Sequence, residues 1–204
     1  MNRILAFVVS ALIAVALAQP RAYKDVYFGD SLPVVAEKIV QHEDLRDGFT
    51  PLPRRVQQNT TAEDILRYAH IVTDIGDHTF RIRFDFFDSK LYTVTFASSP
   101  LDASFFNTYV RDAEATLTQV IVSAHGPPNV TIPRSFLDLQ NGFVHWTARW
   151  DSNSEGVDYN IGLARRGYFY YAVMAIEWTW LSQLRDEAIG HDPEGDIRRA
   201  ADDF

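Results

Sequence analysis

The chain has 204 residues, 47% of them hydrophobic and 13% aromatic, which excludes a disordered protein and supplies enough material for one domain with a substantial core. Its formal net charge is −8, from 27 acidic and 19 basic residues, and this acid excess argues against nucleic acid as a partner, since phosphate binding needs clustered Lys and Arg. There is no cysteine, so no disulfide staples the fold and stability must come from packing.

The first segment reads as an export signal. Asn2 and Arg3 form a charged start, Ile4 to Val15 an apolar run, and Ala16-Leu17-Ala18 the small-x-small pattern that signal peptidase cuts before Gln19. The run falls short of the roughly 18 to 20 apolar residues that span a bilayer. No later segment is long and apolar enough to do so, and no membrane span is expected once the signal is removed. A cysteine-free exported chain favours a bacterial periplasm or culture medium. The sequons at Asn59 and Asn129 are the one contrary sign. The expected division is a signal over 1–18, a single domain over 19–189, and a polar, flexible tail over 190–204.

Leu32 to Gln41 is a predicted helix, with Leu32, Val35, Ile39 and Val40 on one face, Ser31 as N-cap and Pro33 in the first turn. Asp47 to Gln58, with Gly48, Pro51, Pro53 and Arg54-Arg55, reads as a loop. A brief helical turn at Ala62 to Leu66 and a strand at Tyr68 to Ile75 follow. The stretch Thr79 to Phe96 then predicts a β-hairpin. Phe80, Ile82, Phe84 and Phe86 alternate with Arg81, Arg83 and Asp85; after a turn at Asp88-Ser89-Lys90, Tyr92, Val94 and Phe96 alternate with Thr93 and Thr95.

The second helix is marked by Phe106, Tyr109, Val110, Ala113, Leu117, Val120, Ile121 and Ala124 at spacings of three and four. Asp102 or Ser104 caps it, and Gly126-Pro127-Pro128 stops it. Asn129 to Asn141 reads as a loop. Three strands are predicted next, at Phe143 to Asp151, Val157 to Arg165 and Tyr168 to Trp178. The last is apolar on both faces, which suits a central strand. A short helix at Leu181 to Ile189 ends the domain.

Helix and three strands thus occur twice, over half-units 28–98 and 102–178. The order predicts an α+β fold: one antiparallel sheet of about six strands, helices packed on one face, built from a duplicated α-βββ unit. The segment Tyr27 to Val40, YFGDSLPVVAEKIV, resembles the helix start of small periplasmic helix-plus-meander modules. These include the outer-membrane-assembly lipoprotein type and the tandem β-lactamase-inhibitor-protein type. The resemblance implies a non-enzymatic module that binds proteins through its sheet face. It carries over no functional residue, and the inhibitor type's disulfides and the lipoprotein type's acylated cysteine have no counterpart here.

Catalytic chemistry finds little support. There is no cysteine nucleophile and no G-x-S-x-G elbow. The histidines at 42, 70, 78, 125, 145 and 191 form no H-x-x-x-H pair, and convergence of His70, His78 and His145 would require neighbouring strands. No metal or cofactor is expected. Asp151 to Gly156 matches the first half of a calcium-binding loop, but Gly162 stands where a bidentate Glu is required. The terminal Phe204 follows RRAADD, which does not alternate as a barrel strand must.

The positive signal is the sheet itself. Strict alternation sends Phe80, Ile82, Phe84, Trp146, Ile161 and Leu163 towards the helices, and Arg81, Arg83, His145, Arg149, Phe169 and Tyr171 to the opposite face. These last six residues are the expected binding surface, a positive island able to steer an acidic protein or another envelope component. Tyr171→Ala and Arg149→Ala are then expected to weaken capture while changing stability by less than about 1 to 2 kcal/mol. Two other readings stand beside this one. The face is covered, by the loop at Arg54 or a second subunit, or the protein is a hydrolase using a carboxylate pair such as Asp85 and Asp158.

Overall fold

The computed structural model describes residues 19–41, 71–151 and 155–189. The export signal, the loop at Asp47 to Gln58, the helical turn at Ala62 to Leu66, the start of the strand at Tyr68, His42, His70, His191 and the tail with Phe204 lie outside the described residues. So does the middle of the Asp151 to Gly156 loop.

Two short strands, β1 (Arg21–Tyr23) and β2 (Val26–Tyr27), pair with each other and lead to helix α1 (Leu32–Gln41). Asp30 ties this entry together, because its carboxylate accepts from the Tyr27 amide at 2.8 Å and from Lys38 Nζ at 2.7 Å. The segment is also stitched to the sheet: the Gly29 amide donates to the Leu91 carbonyl, and the Leu91 amide to the Asp30 carbonyl. Gly29 has φ +86, and a Cβ there would sit 2.8 Å from Gln19 Nε2, so the glycine of the YFGDS stretch answers to conformation and space together.

The hairpin forms as predicted, from β4 (His78–Phe87) and β5 (Lys90–Ser98), with β3 (Ile71–Ile75) on its outer side. Asp88 and Ser89 occupy the tight turn with φ of 47 and 61, the left-handed geometry that matches the twist of paired strands. The chain continues through β6 (Leu101–Asp102), a 3-10 turn (Ala103–Phe105), a π-turn (Phe106–Val110) and helix α2 (Arg111–His125). The Asp102 carboxylate accepts from the Ser104 amide, and Gly126 with φ 79 ends α2. The predicted loop at Asn129 to Asn141 contains two small elements, β7 (Val130–Thr131) and a 3-10 turn (Phe136–Asp138). Then come β8 (Phe143–Trp150), β9 (Val157–Arg166), β10 (Phe169–Trp178) and α3 (Thr179–Ile189).

The fold is α+β with a large antiparallel sheet. Its order is β3-β4-β5-β10-β9-β8-β7, and β6 adds to β10, so among the described residues the sheet has eight strands instead of about six. The two extra strands are the short pieces β6 and β7. Two meanders, β3-β4-β5 and β8-β9-β10, meet through their last strands. That places β10 in the centre, as its two apolar faces require.

The main core lies between the sheet and the helices. Val35 and Ile39 of α1, Val110, Ala113, Leu117 and Ile121 around α2, and Leu181 of α3 bury against Phe80, Ile82, Val94, Phe96, Ile161, Leu163 and Met174. The buried stripe of α2 is narrower than predicted: Tyr109, Val120 and Ala124 are exposed. The π-turn contributes to this, since Phe106 and Val110 at its two ends both turn inward.

A bulge in β8 corrects two assignments. Trp146 pairs with Gly162 and Ala148 with Ile161, so Thr147 is an extra residue. Side chains before it change sides relative to strict alternation. Trp146, expected against the helices, lies on the opposite face beside Val144, Ala164, Tyr171, Val173 and Ala97. His145, expected on that opposite face, sits across from Leu163 on the helix side.

The second face is therefore not open along its length. Tyr171 is 2% exposed within this smaller apolar cluster, which overturns the expectation that it stands in solvent. Gly162 belongs to the same layer. A Cβ there would meet the His145 carbonyl oxygen at 2.6 Å and Trp146 Cε3 at 3.0 Å. Gly162→Ala should cost about 1 to 3 kcal/mol through this overpacking, read from urea denaturation. An unchanged midpoint would contradict so close an approach of Trp146 to the β9 backbone.

Candidate functional site

On the non-helix face, cross-strand rows run across the strands. One row is Val72, Arg81, Ala97, Val173, Gly162 and Trp146. The next is Arg83, Thr95, Ala175, Asn160 and Arg149, and a third is Asp85, Thr93, Glu177 and Asp158. On the other side of the first row stand Tyr171 with Ala164, and then Phe169 with Arg166. The face thus grades from a basic, aromatic end to an acidic one.

At the basic end the sheet is interrupted. Ala97 pairs with Val173 and Leu101 pairs with Tyr170, so the β5–β6 strand carries one residue more than β10 between these points. Ser98-Ser99-Pro100 absorbs it, and the Ala172 amide donates to Ser98 Oγ at 2.9 Å. Such bulges re-aim a strand and end its pairing locally. Here the departure leaves a cleft of about 260 Å³ beside Tyr171. Buried Ala97 and Tyr171 form its floor, half-buried Arg81 its side, and exposed Arg166 and Phe169 its mouth.

Among the described residues no carboxylate lines this cleft. Among the described residues neither the Arg81 nor the Arg166 guanidinium has a hydrogen bond or ion-pair partner. The other arginines of the face contrast with them. Arg83 Nε lies 3.1 Å from Asp85 Oδ2, and Arg149 lies 3.6 Å from Asp151. Two hydroxyls of the cleft are partly engaged: Thr79 Oγ1 donates to Asp74 at 2.6 Å and Ser98 Oγ accepts from the Ala172 amide, while Ser99 is exposed at the rim.

Of the six residues expected to form a binding surface, Arg81, Phe169 and Tyr171 come together here. Arg83 stands one row away in its ion pair, and Arg149 lies out on β8. His145 is on the other side of the sheet. Its Nε2 accepts from the Gln140 amide at 2.9 Å, and burial, with the nearby Arg134 charge, lowers its pKa below the ordinary 6.5. The ring is consequently neutral near pH 7 and adds no cation to the site. Arg166 and the Ser98–Pro100 bulge were not singled out from the sequence; Ser-Ser-Pro directly after a predicted strand was the available signal.

The hydrolase reading loses its named pair. Asp85 and Asp158 share a face but lie three strand spacings apart, about 14 Å, whereas paired catalytic carboxylates of glycosidases are about 5 to 9.5 Å apart. His78 is engaged with Asp112 at 3.0 Å. Among the described residues no group of His, Asp and Glu side chains is placed to hold a metal ion, and no helix is long and apolar enough to cross a membrane. No protein-family model, curated protein or solved structure matches the chain.

Proposed function

We propose that the protein is an exported, non-enzymatic binding module that recognises its partner through the non-helix face of the sheet, at the cleft beside Tyr171. The observation that carries this reading is that Arg81 and Arg166 line a cleft where no carboxylate stands among the described residues, in a chain of net charge −8. Cations left without a counter-charge raise the local potential and concentrate anions. A mostly apolar concavity with a few convergent polar groups is the common form of a recognition site. The compartment is the one the amino-terminal apolar run implies, a bacterial periplasm or the medium. The partner is a protein or another envelope component that inserts a small group into the cleft. The double helix-plus-meander order supports the likeness to tandem periplasmic binding modules.

Ser99→Trp tests the site. Ser99 is exposed and lines the cleft, so an indole there obstructs the cavity without entering the core. Small-molecule binders found by ligand-observed NMR with the wild-type protein are expected to lose their signal with Ser99→Trp, at an unchanged melting temperature. Binders that survive the substitution, or turnover of any of them, would contradict the reading.

A further inference from the structure

The same cleft restricts what enters it. We infer that it takes a small organic carboxylate joined to a compact apolar or aromatic group, with the carboxylate paired to Arg81 on the side of the cleft and Arg166 at the mouth adding to the positive potential. This rests on the cleft being the recognition site. The guanidinium is a planar, permanently charged fork that matches a carboxylate in bidentate fashion. A phosphate presents a third oxygen and a second charge; Thr79 Oγ1 already donates to Asp74, which leaves the neutral Ser98 and Ser99 O–H groups as its further donors, so phenyl phosphate is the competing probe. A sugar also needs acceptors for its many hydroxyl protons, and the guanidiniums supply donors only. Beside the hydroxyls of Thr79, Ser98 and Ser99 the walls are apolar: Val72, Ala97, Pro100, Tyr171 and the ring of Phe169, which is 52% exposed at the mouth. The volume of about 260 Å³ lies just below the roughly 300 to 1,000 Å³ of pockets for drug-sized ligands, so the apolar group is of the size of one aromatic ring.

A free acid and the C-terminal carboxylate of a peptide ending in an aromatic residue share this chemistry. Isothermal titration of the full-length protein separates the possibilities with five probes: 3-phenylpropionate, its neutral amide, phenyl phosphate, and N-acetyl-Gly-Phe with a free or an amidated terminus. Both carboxylates are expected to bind, and each neutral amide about tenfold or more weakly, the margin of a charge-assisted pair. Tighter binding of the peptide acid assigns a chain terminus, and tighter binding of 3-phenylpropionate a free small acid. Arg166→Gln, at an exposed position, and Arg81→Gln should each weaken the acids about fivefold or more, leave the amides unchanged, and leave melting unaltered. Equal affinity for acid and amide would overturn the carboxylate assignment, as would preference for phenyl phosphate or indifference to both Arg substitutions. The site itself would still stand in those cases if Ser99→Trp abolished binding. Binding insensitive to Ser99→Trp, or no binding of any probe, would remove the site along with the ligand class.

Discussion

Leu117→Ala is expected to lower the stability of the protein by about 2 to 5 kcal/mol. Leu117 is 0% exposed, in the middle of α2, in the core that α2 shares with β9 and β10. The loss has two parts, the transfer free energy of the removed methyl groups and the void they leave in a layer that cannot collapse around it. Val120 is one turn along the same helix and 44% exposed, so Val120→Ala should stay within about 0.5 kcal/mol. Urea denaturation of the two variants checks the face of the helix as well as the magnitude. Equal losses would mean that α2 is turned differently on the sheet.

Tyr171→Ala is expected to cost about 3 to 5 kcal/mol, as deletion of a buried aromatic ring does. The reason lies in the second, smaller apolar layer. Ala97 and Ala164 flank Tyr171 on neighbouring strands, and their small side chains leave room for the ring, while Val144, Val173 and Trp146 complete the layer. Alternation alone had suggested an exposed ring and a loss below about 1 to 2 kcal/mol. A thermal melt separates the two: a fall in melting temperature of about 6 to 20 °C follows from a loss of that size, and a shift of one or two degrees would restore the solvent-exposed tyrosine. Tyr171→Phe keeps most of the packing and should be much milder.

These two residues also mark how far the sequence could be followed. The spacing Val110, Ala113, Leu117, Ile121 is enough to place a helix stripe, because 3.6-residue periodicity and burial express the same geometry. The alternation from Phe80 to Phe96 is enough for the hairpin, and two apolar faces at Tyr168 to Trp178 are enough to put β10 in the centre. Alternation, however, assigns a side and says nothing of what covers it. Tyr171 was assigned to the right face and yet is buried. It also fails across any extra residue. Nothing in FVHWTARW marks Thr147 as the bulged position, and the exchange of His145 with Trp146 follows from that single insertion. The cleft has the same origin. Arg81, Phe169 and Tyr171 were legible as neighbours on one face, but the space between them exists because Ser98-Ser99-Pro100 adds one residue to a strand, a property of pairing with β10 and not of local sequence.

Recognition at the non-helix face is the central claim, and amide chemical-shift mapping of isotope-labelled protein titrated with 3-phenylpropionate tests it most directly. The expected result is a set of shifts confined to Ala97, Ser98, Ser99, Arg166 and Phe169, with the amides of Leu117 and Ile121 unmoved. Shifts centred on α2, or on the acidic row of Asp85, Glu177 and Asp158, would contradict it.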